Sequence, residues 1–339
     1  MSPSAAKNRK ALMSQTLIDC IEAATLAPSV HNSQPWRFRV GHDRVDVLTD
    51  VDRRLLTVDP SGREAMISVG AAILNLRVAI LSFGRTPMTT LLPDPHDPRV
   101  AATVVLGPAH RPDATVRSLT SAISKRRTNR RPFREIEVRD EVLDQLAVAA
   151  RVEGGHLAIA DDTGRKSILA LVRTANEWQT EDAAYTEELW NWTDRPVVSG
   201  DGIPVRSFGP LDDGQVLPLR DFGAARPQTP RRLARFEATP TIAVLYSATD
   251  RPVDWLRAGQ ALERVLLTAT VRGVATTPIT APTELPELRR LLDAGDDIRC
   301  AQVILRLGYG NPCPPTPRRP VSEVVTVVTP APVTATGAR

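Results

Sequence analysis

An α+β fold is what this sequence predicts, and three observations lead there. Short apolar strands are interspersed irregularly with helices, without the regular alternation of a βαβ winding. A loose repeat runs through the chain: each half carries a long apolar helix followed by a Leu/Val/Ile strand that ends in Gly. Of 339 residues, 42% are hydrophobic, enough for a substantial core and incompatible with disorder of the whole chain.

The elements follow from periodicity. Leu17, Ile21 and Ala24 recur at helical spacing within 12–27, a helix stopped by Pro28. Trp36, Phe38 and Val40 alternate, GHDR turns the chain, and Val45 and Val47 alternate again, the pattern of a hairpin. Residues 64–83 carry two interleaved apolar stripes, one through Ile67, Ala71, Leu74, Val78 and Leu81, the other through Val69, Ile73, Leu76, Ile80 and Phe83. A helix apolar on two faces has to be buried between layers or at an interface. A buried strand is expected at 101–107. A helix through Val116, Leu119 and Ile123 follows, then a second at 139–150, a strand at 156–160 and helices across 162–192. Farther on come a strand at 241–247, a long helix at 254–273, a Pro-punctuated turn at 276–286, a short helix to about Leu292 and a strand at 298–310.

Proline is in excess, 29 residues or about 9%, against roughly 5% in an average protein. Seven prolines lie in 196–240 and seven in 312–332. A structureless stretch as long as 194–240 inside a compact domain is typically a functional lid or a linker. The final small and polar residues read as a disordered tail, placed at 323–339. No apolar run approaches the length of a membrane span, the N-terminus lacks a secretory pattern, and Cys20, Cys300 and Cys313 are too widely spaced for a disulfide framework or a CxxC pair. These features point to the cytoplasm.

Two segments depart from bland composition. APSVHNSQPWRF (27–38) places Ser29 and Asn32 on a helix-to-strand corner. Such a corner presents polar groups to a planar ligand, or is an ordinary turn capped by Ser and Asn. KRRTNRRPF (125–133), extended by Arg134, holds six positive charges in ten residues, with Thr128 between arginines. Its guanidinium forks suit a small cofactor's phosphate, a nucleic acid, or a solvated helix end favoured by the macrodipole. Nucleic acid fits least: no helix-turn-helix, RNP motif or aromatic platform accompanies the cluster, and the net charge is only +4. TPRRP (316–320) is a further basic site, relevant if it folds back on the first, or else a flexible end. His31, His42, His96, His110 and His156 are scattered without metal spacing, so no metal site is expected. There is no Walker loop, dinucleotide fingerprint or GxSxG elbow, and no side chain stands out as a nucleophile. If the chain is an enzyme, a bound organic cofactor carries the chemistry rather than a catalytic side chain.

The two segments together resemble the FMN-dependent nitroreductase superfamily. APSVHNSQPWRF looks like its APSxxNxQPW signature, and RRTNRRPF (126–133) like its phosphate-holding arginine element. DPSGREAMISVGAAILNLR (59–77), DGIPV (201–205), GQALERVLLTAT (259–270) and GNPCPPTPRRP (310–320) are similar to the fused two-copy members known as the Acg family. The resemblance spans roughly residues 12–322. Here the arginine element follows the corner motif by about 90 residues, and the position expected for a second corner reads ARVEGGHLAIA (150–160).

The resemblance implies two nitroreductase-like halves, 1–113 and 114–322, each a small mainly antiparallel sheet packed by helices, joined as an internal pseudo-dimer with one complete flavin site. Such a chain would be a monomer in this sense, or pair further as a homodimer. Arg126, Arg127, Thr128 and Arg130 would bind the FMN phosphate, with Arg318 and Arg319 adding to it. Pro28, Ser29 and Asn32 would contact the ring or ribityl chain, and Pro278, Ile279 and Thr280 would lie along the isoalloxazine. The implied activity is hydride transfer from NAD(P)H through flavin N5 to a nitroaromatic or quinone-like acceptor. If the 194–240 segment covers the flavin, it would exclude nicotinamide, and the chain would instead sequester flavin with little turnover.

Overall fold

A computed structural model of the chain describes residues 15–214, 216–224, 228–293 and 299–328. The first helix, α1, covers 15–25, and the predicted residues 12–14 lie outside the described range. Its Leu17, Ile21 and Ala24 are fully buried, as their spacing requires. The hairpin β1 (Trp36–Val40) and β2 (Arg44–Thr49) follows, with Trp36, Phe38 and Val40 inward and Arg37 outward. Helix α2 (Arg63–Ser82) runs to β3 (Arg85–Leu91) and β4 (Val100–Ala109). Next are α3 (Ala114–Ile123), α4 (Asp140–Val152), β5 (His156–Ile159), α5 (Asp162–Glu181) and α6 (Ala183–Trp192). Asp113, Asp161 and Asp182 cap α3, α5 and α6 through their carboxylates. After a long irregular segment come β8 (Thr241–Ser247), α7 (Pro252–Val271), β9 (Ala275–Ile279), α8 (Ala281–Glu284), α9 (Pro286–Arg290) and β10 (Cys300–Gly308). Within that segment lie β6 (Leu211–Asp212) and β7 (Leu233–Ala234), and the chain closes with α10 (Val321–Val324) and β11 (Val325–Val327).

The strands form two main sheets. One has the order β11-β1-β2-β4-β3, the other β5-β8-β10-β9. Matching β5, β8, β10 and β9 to β1, β2, β4 and β3 gives the same order, with every one of these pairs antiparallel. Helix α2 stands between β2 and β3 as α7 stands between β8 and β9. The repeat glimpsed in sequence is therefore a repeat of topology.

α2 and α7 cross at the centre. A Cβ on Gly70 would come within 2.3 Å of the Leu256 carbonyl, and one on Gly259 within 2.0 Å of the Ile67 carbonyl. Only glycine permits the two backbones to meet there. Contrary to the expectation that no stretch approaches a membrane span, α2 matches one in length and apolarity, but 78% of its most apolar window is buried inside the protein. One face packs into the core of the first sheet, with Trp36, Phe38 and Ala102, while Ile67 joins Leu262, Val303 and Leu305 of the second. Its two apolar stripes are thus explained by two neighbours.

Three expectations need correction. The Pro-punctuated stretch at 276–286 begins with a strand, β9, and β3 forms where no strand was expected. Each is an edge strand and carries a proline, Pro87 or Pro278, which an edge accommodates because an outward N–H is not needed. The tail does not begin at 323: β11 pairs in parallel with β1, Phe38 opposite Val325 and Val40 opposite Val327. Residues 329–339 lie outside the described range. The 194–240 segment is largely irregular, as expected, yet it has its own core. Ile203, Phe208 and Phe222 pack against Leu55 and Val58 of the first half and Tyr185 and Leu189 of α6.

Candidate active site

The corner motif and the arginine element, about 90 residues apart in sequence, meet in the structure. Two cavities adjoin, both walled by Pro28, Ser29, Thr128 and Arg130. One spans about 860 Å³ including the open solvent at its mouth. Its walls come from Ile67, Ser68 and Ala71 of α2, Leu262 of α7, Val303 of β10 and residues 277–281 at the end of β9. The other encloses about 680 Å³ and is lined by Arg126, Arg127, Arg130, Arg318 and Asn32, with no carboxylate among its lining residues. One compartment is a largely apolar slot and its neighbour a cationic cradle.

The arginine loop is held by β9. Asn129 N–H donates to the Thr276 carbonyl at 2.9 Å, and Thr277 Oγ1 donates to the Asn129 carbonyl at 2.6 Å. Thr128, just before these anchors, pairs in parallel with Thr276 in a short bridge. Arginine loop and slot edge are therefore tied together.

Burial separates the arginines into those that have free donors and those that do not. Arg126 is 4% exposed and gives one hydrogen bond, Nη2 to the Leu26 carbonyl at 3.3 Å, while Nε and Nη1 have no hydrogen-bond partner. Arg130 donates Nη1 to the Ser207 carbonyl at 3.0 Å, and its guanidinium lies 4.5 Å from the centre of the Phe222 ring. Burial lowers its pKa to about 10, with Arg220 adding repulsion. Arg127 donates to the Ser124 and Arg126 carbonyls. Arg318 is different: it donates to the carbonyls of Thr25, Leu26 and Ala27, to Asn32 Oδ1 and to Thr316 Oγ1. It therefore caps the C-terminal carbonyls of α1 and contributes charge to the cradle rather than free donors. Burial beside Arg126 brings its pKa down to about 9.

Other expected residues are also placed. Pro278, Ile279 and Thr280 line the slot. Ser29 Oγ accepts from Gln34 N–H at 3.0 Å. Asn32, at φ 55°, donates to the carbonyls of Gly202 and Pro317. It stitches the long segment and the C-terminal arm to the corner, with its polar atoms already used. Arg319 lies outside both cavities: its guanidinium pairs with Asp50 and Glu323 and its N–H donates to Gln34 Oε1. Lys125, Arg131 and Arg134 are absent from both linings as well.

The segment expected as a lid lines the slot, but through residues that its sequence did not single out. Leu219, Arg220 and Phe222, from the 194–240 segment, join His31 and Glu64 in its lining. Arg220 donates to Glu284 Oε2 at 2.5 Å, to Gln179 Oε1 at 3.3 Å and to His31 Nε2 at 2.8 Å. Because a guanidinium only donates, Nε2 of His31 accepts and the imidazole proton sits on Nδ1. That Nδ1 is buried without a partner. Burial, followed by repulsion from Arg220 and Arg130, holds His31 neutral. Glu64, beneath the slot, is pushed up to about 7 by burial, which Arg63 only partly offsets. No periodicity marks His31, Glu64 or Arg220; their meeting depends on contacts across up to 189 residues. The one available signal was Arg220 and Phe222 lying two apart in a segment already suspected of being a lid.

The sequence profile of the nitroreductase family matches residues 123–309, more than half of the chain. This chain belongs to the nitroreductase family. A Mycobacterium tuberculosis H37Rv protein provisionally named an NAD(P)H nitroreductase is 34% identical over 320 residues, 92% of this chain and 91% of its own. Another from the same strain, provisionally named NAD(P)H nitroreductase acg, is 34% identical over 311 residues, 90% of this chain and 93% of its own. Among solved structures, the FMN-dependent nitroreductase NfnB from Mycobacterium smegmatis, in complex with NADPH, aligns at 15% identity and a TM-score of 0.40. The alignment covers 63% of this chain and 99% of that one. Family membership read from the two signatures is thereby established.

Proposed function

We propose that the protein is a cytoplasmic FMN-binding oxidoreductase of the nitroreductase type, using NAD(P)H, with two fused copies of one fold sharing a single flavin site. The observation that carries this reading is the pair of adjoining cavities. An apolar slot suits an isoalloxazine, and at its end a cradle of arginines includes Arg126, whose buried Nε–H and Nη1–H make no hydrogen bond. A buried guanidinium with unspent donors suits a phosphate. His31 Nδ1–H offers a further orphaned donor at the slot, suited to a ring oxygen or nitrogen. The duplicated topology supports the two-copy reading, because the corner motif comes from one half and the arginine loop from the other. The relatives named as NAD(P)H nitroreductases support the choice of electron donor.

In this reading Arg126, Arg127, Thr128 and Arg130 bind the phosphate, Pro28 and Ser29 hold the middle of the cofactor, and Pro278, Ile279 and Thr280 line the ring. When bound, FMN supplies hydride acceptance and electron transfer to a nitroaromatic or quinone-like acceptor. The chain's own part is to hold the cofactor, keep the slot apolar with Ile67, Ala71, Leu262 and Val303, and keep His31 neutral.

A second reading, flavin sequestration with little turnover, is favoured by one specific observation: Leu219, Arg220 and Phe222 occupy the roof of the slot. One experiment separates them. The purified protein is loaded with FMN and mixed with NADPH or NADH without oxygen. Rapid bleaching of the flavin supports turnover; a flavin reduced by dithionite but not by nicotinamide assigns the protein to sequestration. Stoichiometry should be one FMN per chain, and two would refute the shared single site.

A further inference from the structure

The crossing of α2 and α7 places a carboxylate beneath the cationic cradle. Glu263 lies one turn beyond Gly259, where the helices touch, and is wholly buried. Asn75 of α2 lies beside it. Its charged partner within 4 Å, among the described residues, is Arg126, with Nε 3.6 Å from Oε1. Leu74, Val78, Leu119, Ile123 and Leu267 form an apolar cluster between α2, α3 and α7 nearby.

Four guanidiniums line the cradle and no acid does. Arg318 has its donors committed to α1 carbonyls and to Asn32 and Thr316, so its orientation is independent of any ligand. Arg126 is the opposite case, buried and mostly unbonded, with Arg127 and Arg318 repelling it. A buried cation needs a counter-charge. Two candidates exist: the ligand's phosphate from above and Glu263 from below.

We propose that Glu263 is a positioning residue, the internal counter-ion that keeps Arg126 and the cradle assembled before a phosphate arrives. It acts through Arg126 and touches neither ligand nor reacting atoms. The ligand class it prepares for is a phosphate monoester. The proposal rests on the phosphate assignment made above, and inorganic phosphate serves as a probe that does not depend on flavin.

The test uses thermal unfolding of full-length, flavin-free wild type and E263Q, alone and with inorganic phosphate, FMN or riboflavin. E263Q alone should melt several degrees below wild type. Inorganic phosphate or FMN should close most of that gap by supplying the missing counter-charge, and riboflavin should leave it open. A gap equal under all four conditions would mean that Glu263 serves packing alone, and would overturn the proposal. If FMN stabilises neither protein while inorganic phosphate still closes the gap, the flavin reading fails and the role of Glu263 stands. Should E263Q not fold without ligand, the double variant R126Q/E263Q decides. It should fold without phosphate and gain less from it than E263Q does, because the orphaned cation is gone while Arg127, Arg130 and Arg318 remain. A double variant that also fails to fold, or one as destabilised as the two single effects combined, would overturn the proposal.

Discussion

Truncating Glu284 to alanine tests whether the segment over the slot is held by a single latch. The Glu284 side chain is buried on α8, 1% exposed, and Arg220 reaches it from the 194–240 segment with 10% of its own side chain exposed. Burial opposes the charge on Arg220, and Glu284 together with Tyr185 more than restores it, so the group stays protonated. Removing one partner of a buried ion pair costs about 3–5 kcal/mol, because the other charge is left uncompensated. Here the cost has an outlet. Arg220 belongs to a segment with little regular structure, outside both sheets, so the cost falls on the local contacts of Arg220 with Tyr185 and Phe222. The penalty is then expressed as opening of the segment, and about 3 kcal/mol shifts a closed-to-open ratio roughly 100-fold, at about 1.4 kcal/mol per decade. If closure limits access of nicotinamide, the rate of anaerobic flavin reduction by NADPH in E284A rises toward that factor. Limited proteolysis should show cleavage within 194–240 in the variant before the sheets are cut. A variant whose segment opens to protease while the reduction rate stays at the wild-type value would refute the gating argument. A variant that unfolds globally at lower temperature without selective cleavage would refute the latch.

Further expectations concern binding, pH and packing. Replacing Arg126 and Arg130 together by alanine should release FMN while riboflavin binding changes little, measured by flavin fluorescence titration. Glu64 contributes a pH dependence of definite sign. Its folded pKa of about 7 lies above the roughly 4.3 of an unfolded glutamate, so the folded state holds the extra proton between these values. Stability should therefore fall as pH rises from about 4.5 to about 7, by up to about 3 kcal/mol, and E64Q should flatten that slope in denaturant titrations. Gly259→Ala should destabilise by at least about 1–3 kcal/mol, since its Cβ would collide with the Ile67 carbonyl at 2.0 Å; an unchanged Tm would refute the close crossing.

Much of the architecture could be read from the residues because it rests on local periodicity. The two stripes of 64–83 required burial on two sides, and α2 has just that. The hairpin, α3, α4, β5, β8 and β10 likewise carry their patterns internally. What escaped had its cause elsewhere in the chain. β3 and β9 are edge strands, the first without a pattern that was read and the second with a proline read as a turn, and β11 is three residues that become a strand only through β1. The site divides in the same way. Its two signatures were legible because backbone turns and arginine spacing are local properties. His31, Glu64, Arg220 and Glu263 acquire meaning from partners distant in sequence. Arg318 and Arg319 sit side by side in sequence, yet one caps α1 at the cradle and the other points away to Asp50.

The pairing of β11 with β1 bears on how this protein is made. The two strands are joined across nearly 290 residues, so β1 gains its outer neighbour only when the last part of the chain has been synthesised. At about 5–20 residues per second, the hairpin edge waits roughly 15–60 s with its hydrogen-bonding groups unpaired. An open strand edge is a template for pairing with another chain. The nascent first half is thus the vulnerable stage of biogenesis, and chains shortened before Val325 would carry that exposed edge for life.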